Sequence, residues 1–441
     1  MERRDFLKAA AISGLAVTAP LFSRDAGAES PPYAGPFWIL VNAGGGWDPR
    51  FAFDPTANPD QNRLTSAVQQ IGNIKYSPIP NDPEAINLDP ALGQHLMDNE
   101  SFLTKFGSKL CVINGVDTST NNHDSGNRAM WCGRIPEGYP AFGALVAAAR
   151  AKEKPMAFLS SGGYDATQNI VALTRVSSAA VLRRIAYPNV IDPANLQGAR
   201  YHTDETFARI AQAQAARIAA LQEQMNLPKV RGGMNQLYLA RLAENELEKL
   251  QLPDTPVTLP NALSDLQRLM QQAQLAIAAF KSGLAVAANV SLGGFDTHGN
   301  HDVGQRRQLQ KLLAGVNYIM DEAQAQGIAA KTYVVVCSDF GRTPKYNGTN
   351  ASSGKDHWPI TSVLAMGPGI AGNRVIGATA DADQKPFNVD PSSLATLGNA
   401  KDGVRIRPEH IHRALRKLAQ IDGADVSAQF PLPGLDLPLF G

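Results

Sequence analysis

Three short polar clusters in this chain combine aspartate with histidine or arginine, and each stands beside an apolar run. The first reads Leu292-Gly-Gly-Phe-Asp296-Thr-His298-Gly-Asn-His301 and the second Ser338-Asp339-Phe340-Gly341-Arg342-Thr343-Pro344. The third, after a Gly/Ser-rich loop, is Gly354-Lys355-Asp356-His357-Trp358-Pro359. Carboxylate oxygens and imidazole nitrogens are the usual donors to zinc or manganese. The runs ahead of the first two clusters, Leu284–Ser291 and Thr332–Cys337, read as buried strands. In a parallel α/β sheet, ligands bind beyond the carboxyl ends of the strands. The clusters therefore read as half of an active or metal site. The plainer alternative is a hydrogen-bond network that ties strand ends together.

Two further segments offer chemistry. Phe37–Asn42 reads as a first buried strand and runs into Ala43-Gly44-Gly45-Gly46-Trp47-Asp48. Glycines there permit tight turns and close approach of a ligand to the backbone. The run lacks the Gly-Lys-Ser/Thr of a P-loop and the spacing of a dinucleotide fingerprint. Asp48 is a candidate ligand, with turn capping as its competing role. The second segment, Asn121-Asn122-His123-Asp124-Ser125-Gly126-Asn127-Arg128, leads from the strand Lys109–Gly115 into a helix. Backbone N–H groups at a helix start favour anions; simple capping by Asp124 or Ser125 would give the same pattern.

The elements that must position these residues alternate strand and helix. Tyr139–Lys152 fits a helix, Met156–Ser160 a strand, Val303–Gln326 a helix, Thr361–Met366 a last clear strand and Pro408–Leu418 a closing helix. Residues 54–100, rich in Pro, Asn and Asp, read as a surface excursion, and Val375–Leu397 as irregular. Between about 203 and 282 the composition turns to Ala, Gln, Leu, Arg and Glu with apolar residues at helical spacing, which predicts an all-helical insertion of about three helices. His410 and His412, two apart on a helix, point to different faces and read as surface residues rather than joint ligands.

With 441 residues the chain can bury a large core, and 41 Lys+Arg against 40 Asp+Glu leave a formal charge of +1. That balance gives no reason to expect nucleic acid or anionic lipid as a partner. Three cysteines, Cys111, Cys132 and Cys337, are too few for a disulfide framework and read as buried and inert. Arg3-Arg4-Asp5-Phe6-Leu7-Lys8, followed by the mildly apolar Ala9–Pro20 and small residues at Ala26 and Ala28, reads as a twin-arginine signal peptide over 1–28. Its apolar run falls short of the roughly 20 residues a transmembrane helix needs. The mature chain is expected to be one α/β domain over 29–441 with no transmembrane segment. Its expected partner in export is the twin-arginine machinery, and its location periplasmic or secreted.

The twin-arginine start and the three polar clusters, in this order, resemble the DUF1501 family of exported bacterial proteins along nearly the whole mature chain. That family has no settled general activity and is similar, more distantly, to the alkaline phosphatase and sulfatase superfamily. The resemblance implies an alkaline-phosphatase-like mixed sheet sandwiched between helices, with one or two divalent ions (zinc, manganese or calcium) at the strand ends. It implies metal ligation by Asp48, by Asp296 with His298 or His301, by Asp339 and by His357. It places the nucleophile at the helix start, where Ser125, His123 and Asp124 are alternatives. Arg128, Arg342 or Lys355 would clamp substrate oxygens. The superfamily separates its Asp–His pair by three residues, whereas here one or four intervene. It also follows the later Asp with His, where this chain has Phe340. These departures point to degradation or loss of one metal position. The implied function is an exported metal-dependent hydrolase of phosphate or sulfate esters. The rival is a non-catalytic periplasmic protein that keeps the scaffold for binding or assembly, with a smaller share for unrelated chemistry such as a redox role.

Overall fold

The fold was obtained as a computed structural model. It describes residues 31–64, 67–175, 184, 187–192, 195–224, 249–250, 255–398 and 402–441. Eight strands build the main sheet: β1 (Phe37–Ala43), β2 (Cys111–Asp117), β3 (Phe158–Ser160), β4 (Leu173–Arg175), β5 (Ala287–Leu292), β6 (Thr332–Cys337), β7 (Ile360–Met366) and β8 (Arg374–Ile376). Their order is β8-β2-β7-β6-β1-β5-β3-β4. β1 lies parallel to both β5 and β6, so that Ile39 is level with Ala288 on one side and Val334 on the other. Only β7 runs against its neighbours β2 and β6.

That one reversed strand decides where the polar clusters meet. The C-terminal ends of β1, β2, β5 and β6 share an edge, and β7 presents its N-terminal end there. The cluster ending at Pro359, which precedes its strand, thereby reaches the same edge as the clusters that follow theirs. The expected mixed sheet between helices is the observed architecture.

The helices are α1 (Asn99–Phe106), α2 (His123–Cys132), α3 (Phe142–Ala151), α4 (Asp204–Gln224), α5 (Ser264–Lys281), α6 (His301–Ala325) and α7 (Pro408–Leu418), and all but the largely exposed α4 pack around the sheet. Side chains alternate across a strand. Phe37, Ile39 and Val41 of β1 accordingly pack with Leu269 and Phe280 of α5 and Leu312 and Val316 of α6. Trp38 and Leu40 face the other way, onto Phe142 and Leu145 of α3 and Ile411 and Leu415 of α7. Burial on both faces explains the unbroken apolar run of β1. Each such side chain contributes about 1.5–3 kcal/mol when removed from water, so this layer holds the strand ends in register beneath the polar edge.

Several expectations change. Residues 54–100 are more than a surface excursion: a hairpin of Gln69–Ile71 with Ile74–Tyr76 and the side chains of Ile74, Tyr76, Ile79 and Ile86 are buried or anchor to the core. The region expected to be irregular after residue 374 still supplies the edge strand β8, parallel to β2. His410 and His412 are buried, not on the surface. α7 packs against α2, so His412 Nε2 meets Met130 O at 2.9 Å, while His410 Nδ1 accepts the Arg407 N–H and caps its own helix. All three cysteines are free and buried, as expected. Of the helical insertion, α4 and α5 are helical, and 225–248 lie outside the described residues, as does the expected signal at 1–28. No helix among the described residues is long and apolar enough to cross a membrane.

Candidate functional site

The glycine run after β1 sets the floor of the site. Gly45 and Gly46 adopt positive φ, at 117° and 79°, a backbone course that favours glycine. Their amides turn inward: Gly45 N and Gly46 N donate to Asp339 Oδ1 at 3.2 and 2.6 Å, and Gly46 N and Trp47 N donate to Ser338 Oγ at 3.1 and 3.0 Å. The group that approaches this backbone is thus a carboxylate of the chain itself. Gly126 of α2 completes the floor. A Cβ there would lie 2.6 Å from Asp339 O, so glycine alone lets the start of α2 close on the β6 loop.

Asp339 is fully buried and uses its second oxygen on His123, accepting from Nδ1 at 2.5 Å. It orients an imidazole rather than facing the opening. The other two histidines of the edge are held the same way. His298 Nδ1 meets Asp356 Oδ1 at 3.0 Å, and His357 Nδ1 donates to Asn121 O at 2.8 Å. With Nδ1 engaged, each ring turns Nε2 toward Asp296, at 3.5 Å for His123 and 3.1 Å for both His298 and His357. Fixing one ring nitrogen with an acceptor is how proteins aim the other at a metal. The Nε2 atoms of His298 and His357 stand only 3.0 Å apart. Two lone pairs at that distance repel, so the arrangement calls for a shared proton or a cation.

Arg342 braces Asp296 from behind. Its Nη2 donates to Asp296 Oδ1 at 2.6 Å and to Gly45 O, its Nε to Gly46 O at 2.7 Å and its Nη1 to Lys355 O at 3.2 Å. Burial pushes the Asp296 carboxyl up, but hydrogen bonds from Arg342 and His357 outweigh it and hold its pKa at about 2. A short antiparallel ribbon pairs Arg342 with His357, and Lys355 N donates to Thr297 O, so backbone contacts staple the three clusters together.

A second network lies beneath. Asp48 Oδ2 accepts from Lys355 Nζ at 2.6 Å and meets His301 Nε2 at 2.9 Å. Lys355 Nζ also donates to Gln61 O at 2.6 Å, and His301 Nδ1 lies 2.8 Å from Thr297 Oγ1. Burial would raise Asp48, yet the Lys355 charge and the His301 contact bring it down to about 2. Burial pushes His301 down, toward the neutral ring.

The residues expected to act together therefore divide. Asp296, His298 and His357 meet at the edge, joined by His123, with Asp339 behind it. Asp48, His301 and Lys355 form the sealed network, and Arg342 is enclosed between the two. Arg128 pairs with Glu137 at 2.9 Å. Asp124 is exposed on the first turn of α2. Ser125 Oγ turns to its own helix cap, 2.6 Å from Thr120 Oγ1 and 3.3 Å from Asn122 O. Asp356 has no role in the sequence-based ligand set; its place beside His357 in the third cluster was the available signal. Gly126 carried none.

One ligand atom from each of His123, Asp296 and His357 lies within 4.8 Å of the others, and His298 Nε2 adjoins them. Imidazole nitrogens with a carboxylate are a donor set that suits zinc and its neighbours. Counting the imidazoles as neutral, Asp296, Asp339 and Asp356 against Arg342 leave the edge at −2, so residues and charge both fit a divalent cation.

A family model described as "Protein of unknown function (DUF1501)" matches residues 38–397. No curated protein matches the chain. Among solved structures it is similar to a sulfatase from Pseudoalteromonas sp. at 9% identity and TM-score 0.38, covering 90% of this chain and 69% of that one. It is also similar to a mutant alkaline phosphatase with Mg bound, at 10% identity and TM-score 0.31, covering 78% and 95%. A third is the lipoteichoic acid synthase LtaP from Listeria monocytogenes, at 10% identity and TM-score 0.35, covering 89% and 74%.

Proposed function

This chain belongs to the DUF1501 family, and we propose that it is a metal-dependent hydrolase of phosphate or sulfate esters. One observation carries the reading: three imidazoles, each fixed through Nδ1, turn Nε2 onto one carboxylate in a pocket edge that is short of positive charge. His123, Asp296 and His357 would hold a divalent ion, with His298 beside them. Such an ion would polarise a non-bridging ester oxygen and offset the charge that develops on it. Asp339, Asp356 and the Asn121 carbonyl keep the rings aimed, and Arg342 fixes the Asp296 carboxylate. Asp48, Lys355 and His301 act beneath the site as a rigid support. The Ser125 hydroxyl is engaged by Thr120 and Asn122 at the start of α2, and water is the nucleophile in this reading.

The test is metal content by mass spectrometry on protein purified without chelators, beside an Asp296→Ala/His357→Ala variant. One equivalent of zinc, manganese or calcium, lost in the variant, is expected and would be followed by turnover of aryl phosphate or sulfate esters. A folded wild type that neither holds nor takes up metal would sink the reading. A second reading, a non-catalytic binding or assembly protein, draws support from the Ser125 hydroxyl and the engaged Arg342 and Lys355. It predicts metal without turnover. Export is part of the proposal: Arg3-Arg4 would direct the folded chain through the twin-arginine machinery to the periplasm or beyond. Replacing both by lysine should then keep a reporter fusion in the cytoplasm.

A further inference from the structure

The cations that an anionic substrate would need are committed elsewhere. Arg342 is wholly buried, and its donors reach Gly45 O, Gly46 O, Lys355 O and Asp296. Lys355 is equally buried on Asp48 and Gln61 O, and Arg128 is paired with Glu137. Among the described residues, the one Lys or Arg in ion-pair contact with Asp296, Asp339 or Asp356 is Arg342. A divalent ion brings the edge from −2 to zero and leaves no formal positive charge for the ligand. The start of α2 adds roughly half a charge, enough to orient one anionic oxygen but not to neutralise two.

Resting on the hydrolase reading above, we propose that this site takes esters whose reacting group carries one negative charge and discriminates against dianionic phosphate monoesters. The shared chemistry is a tetrahedral monoanion, which a sulfate monoester and a phosphodiester both present. A dianion meets the carboxylates of Asp296 and Asp356 at short range with no cation left over, and like-charge repulsion there disfavours it relative to a monoanion.

The experiment uses the full chain, loaded with metal and checked by mass spectrometry, at mildly alkaline pH. Binding of dimethyl phosphate, methyl sulfate and phenylphosphonate is measured by calorimetry. Turnover of 4-nitrophenyl sulfate, bis(4-nitrophenyl) phosphate and 4-nitrophenyl phosphate is measured in parallel. Monoanionic probes are expected to bind at least tenfold more tightly than the dianion, and the two turnover arms tell sulfate from phosphodiester. Asp356→Asn, which removes one charge, is expected to narrow the binding ratio by about tenfold; an unchanged ratio would refute the electrostatic cause. A dianion bound more tightly by wild type overturns the proposal and leaves the hydrolase reading standing. Metal-loaded protein that binds and turns over none of the probes overturns both.

Discussion

Two aspartate–histidine groups lie close together in this protein and have opposite characters. At Asp48 the side chain is 0% exposed, and a lysine ammonium with a histidine closes the carboxylate off. At Asp296 the side chain is 45% exposed, and three imidazoles face it with one arginine. The first group is neutral and finished; the second is short of two positive charges and open. Residue type alone therefore does not make a metal site. What distinguishes them is whether the chain has already supplied the cation.

Substitutions should separate the two groups sharply. Lys355→Met leaves the Asp48 charge buried and unpaired, which is expected to cost about 3–5 kcal/mol, read by denaturant unfolding. Asp296→Asn keeps a neutral acceptor for the buried Arg342 guanidinium and is expected to cost less, about 1–2 kcal/mol, while abolishing metal binding. Equal losses at both positions would break the comparison.

Acid sharpens it next. Burial, with Arg416 nearby, lowers His412 to about 4, and burial lowers His301 as well. The unfolded chain takes up protons near pH 6.5 that the folded chain refuses. Stability is therefore intact above that pH, falls as pH drops from 6.5 to about 4, and levels off below for His412. The loss is about 3 kcal/mol for a shift of that size. Asp48, held at about 2, contributes fully above pH 3.8 and loses its share as pH falls from 3.8 to about 2. Melts across this range in wild type and His412→Gln should show the shallower slope in the variant.

Gly126→Ala is the third test. Its methyl group would press on Asp339 O, costing about 1–3 kcal/mol by overpacking and moving His123 off its partner. Metal affinity should fall by about 10–100-fold, the usual effect of disturbing the groups that orient a ligand. Ser125→Ala should do least. Loss of one exposed hydroxyl contact is worth about 1 kcal/mol at most, and turnover is expected to stay within a few-fold. A collapse of turnover there would restore Ser125 as nucleophile and contradict the account of a water-driven reaction.

Much of this was legible in the sequence. The apolar runs at Phe37–Asn42 and Thr332–Cys337 mark central strands, and Asp/His clusters beside strands mark the working edge. The direction of β7 was not, because the local pattern of Thr361–Met366 is the same for either polarity. The division between the two groups was equally hidden. Lys355 and Asp48 are 307 positions apart, and His301 and Asp48 are 253 apart. Nothing near Asp48 announces that its partner is an ammonium. The family resemblance implied Asp339 as a ligand, yet the amides of Gly45 and Gly46 claim one of its oxygens. The buried His412 was missed because α7 meets α2 only in the tertiary fold.

The reversed strand also fixes when the site can exist during synthesis. β7 fits between β2 and β6, and the edge needs His123 from before it and His357 at its threshold. A nascent chain that has emerged only through β6 has the glycine floor and Asp296 but lacks His357. It also lacks the strand that brings β2 and β6 to their final spacing. Capture of an ion would thus wait until His357 and β7 have been made, and the gap between β2 and β6 is closed by pairing with a strand distant in sequence from β2, a slow class of event. Any ion held at this edge is acquired only after the reversed strand has been made.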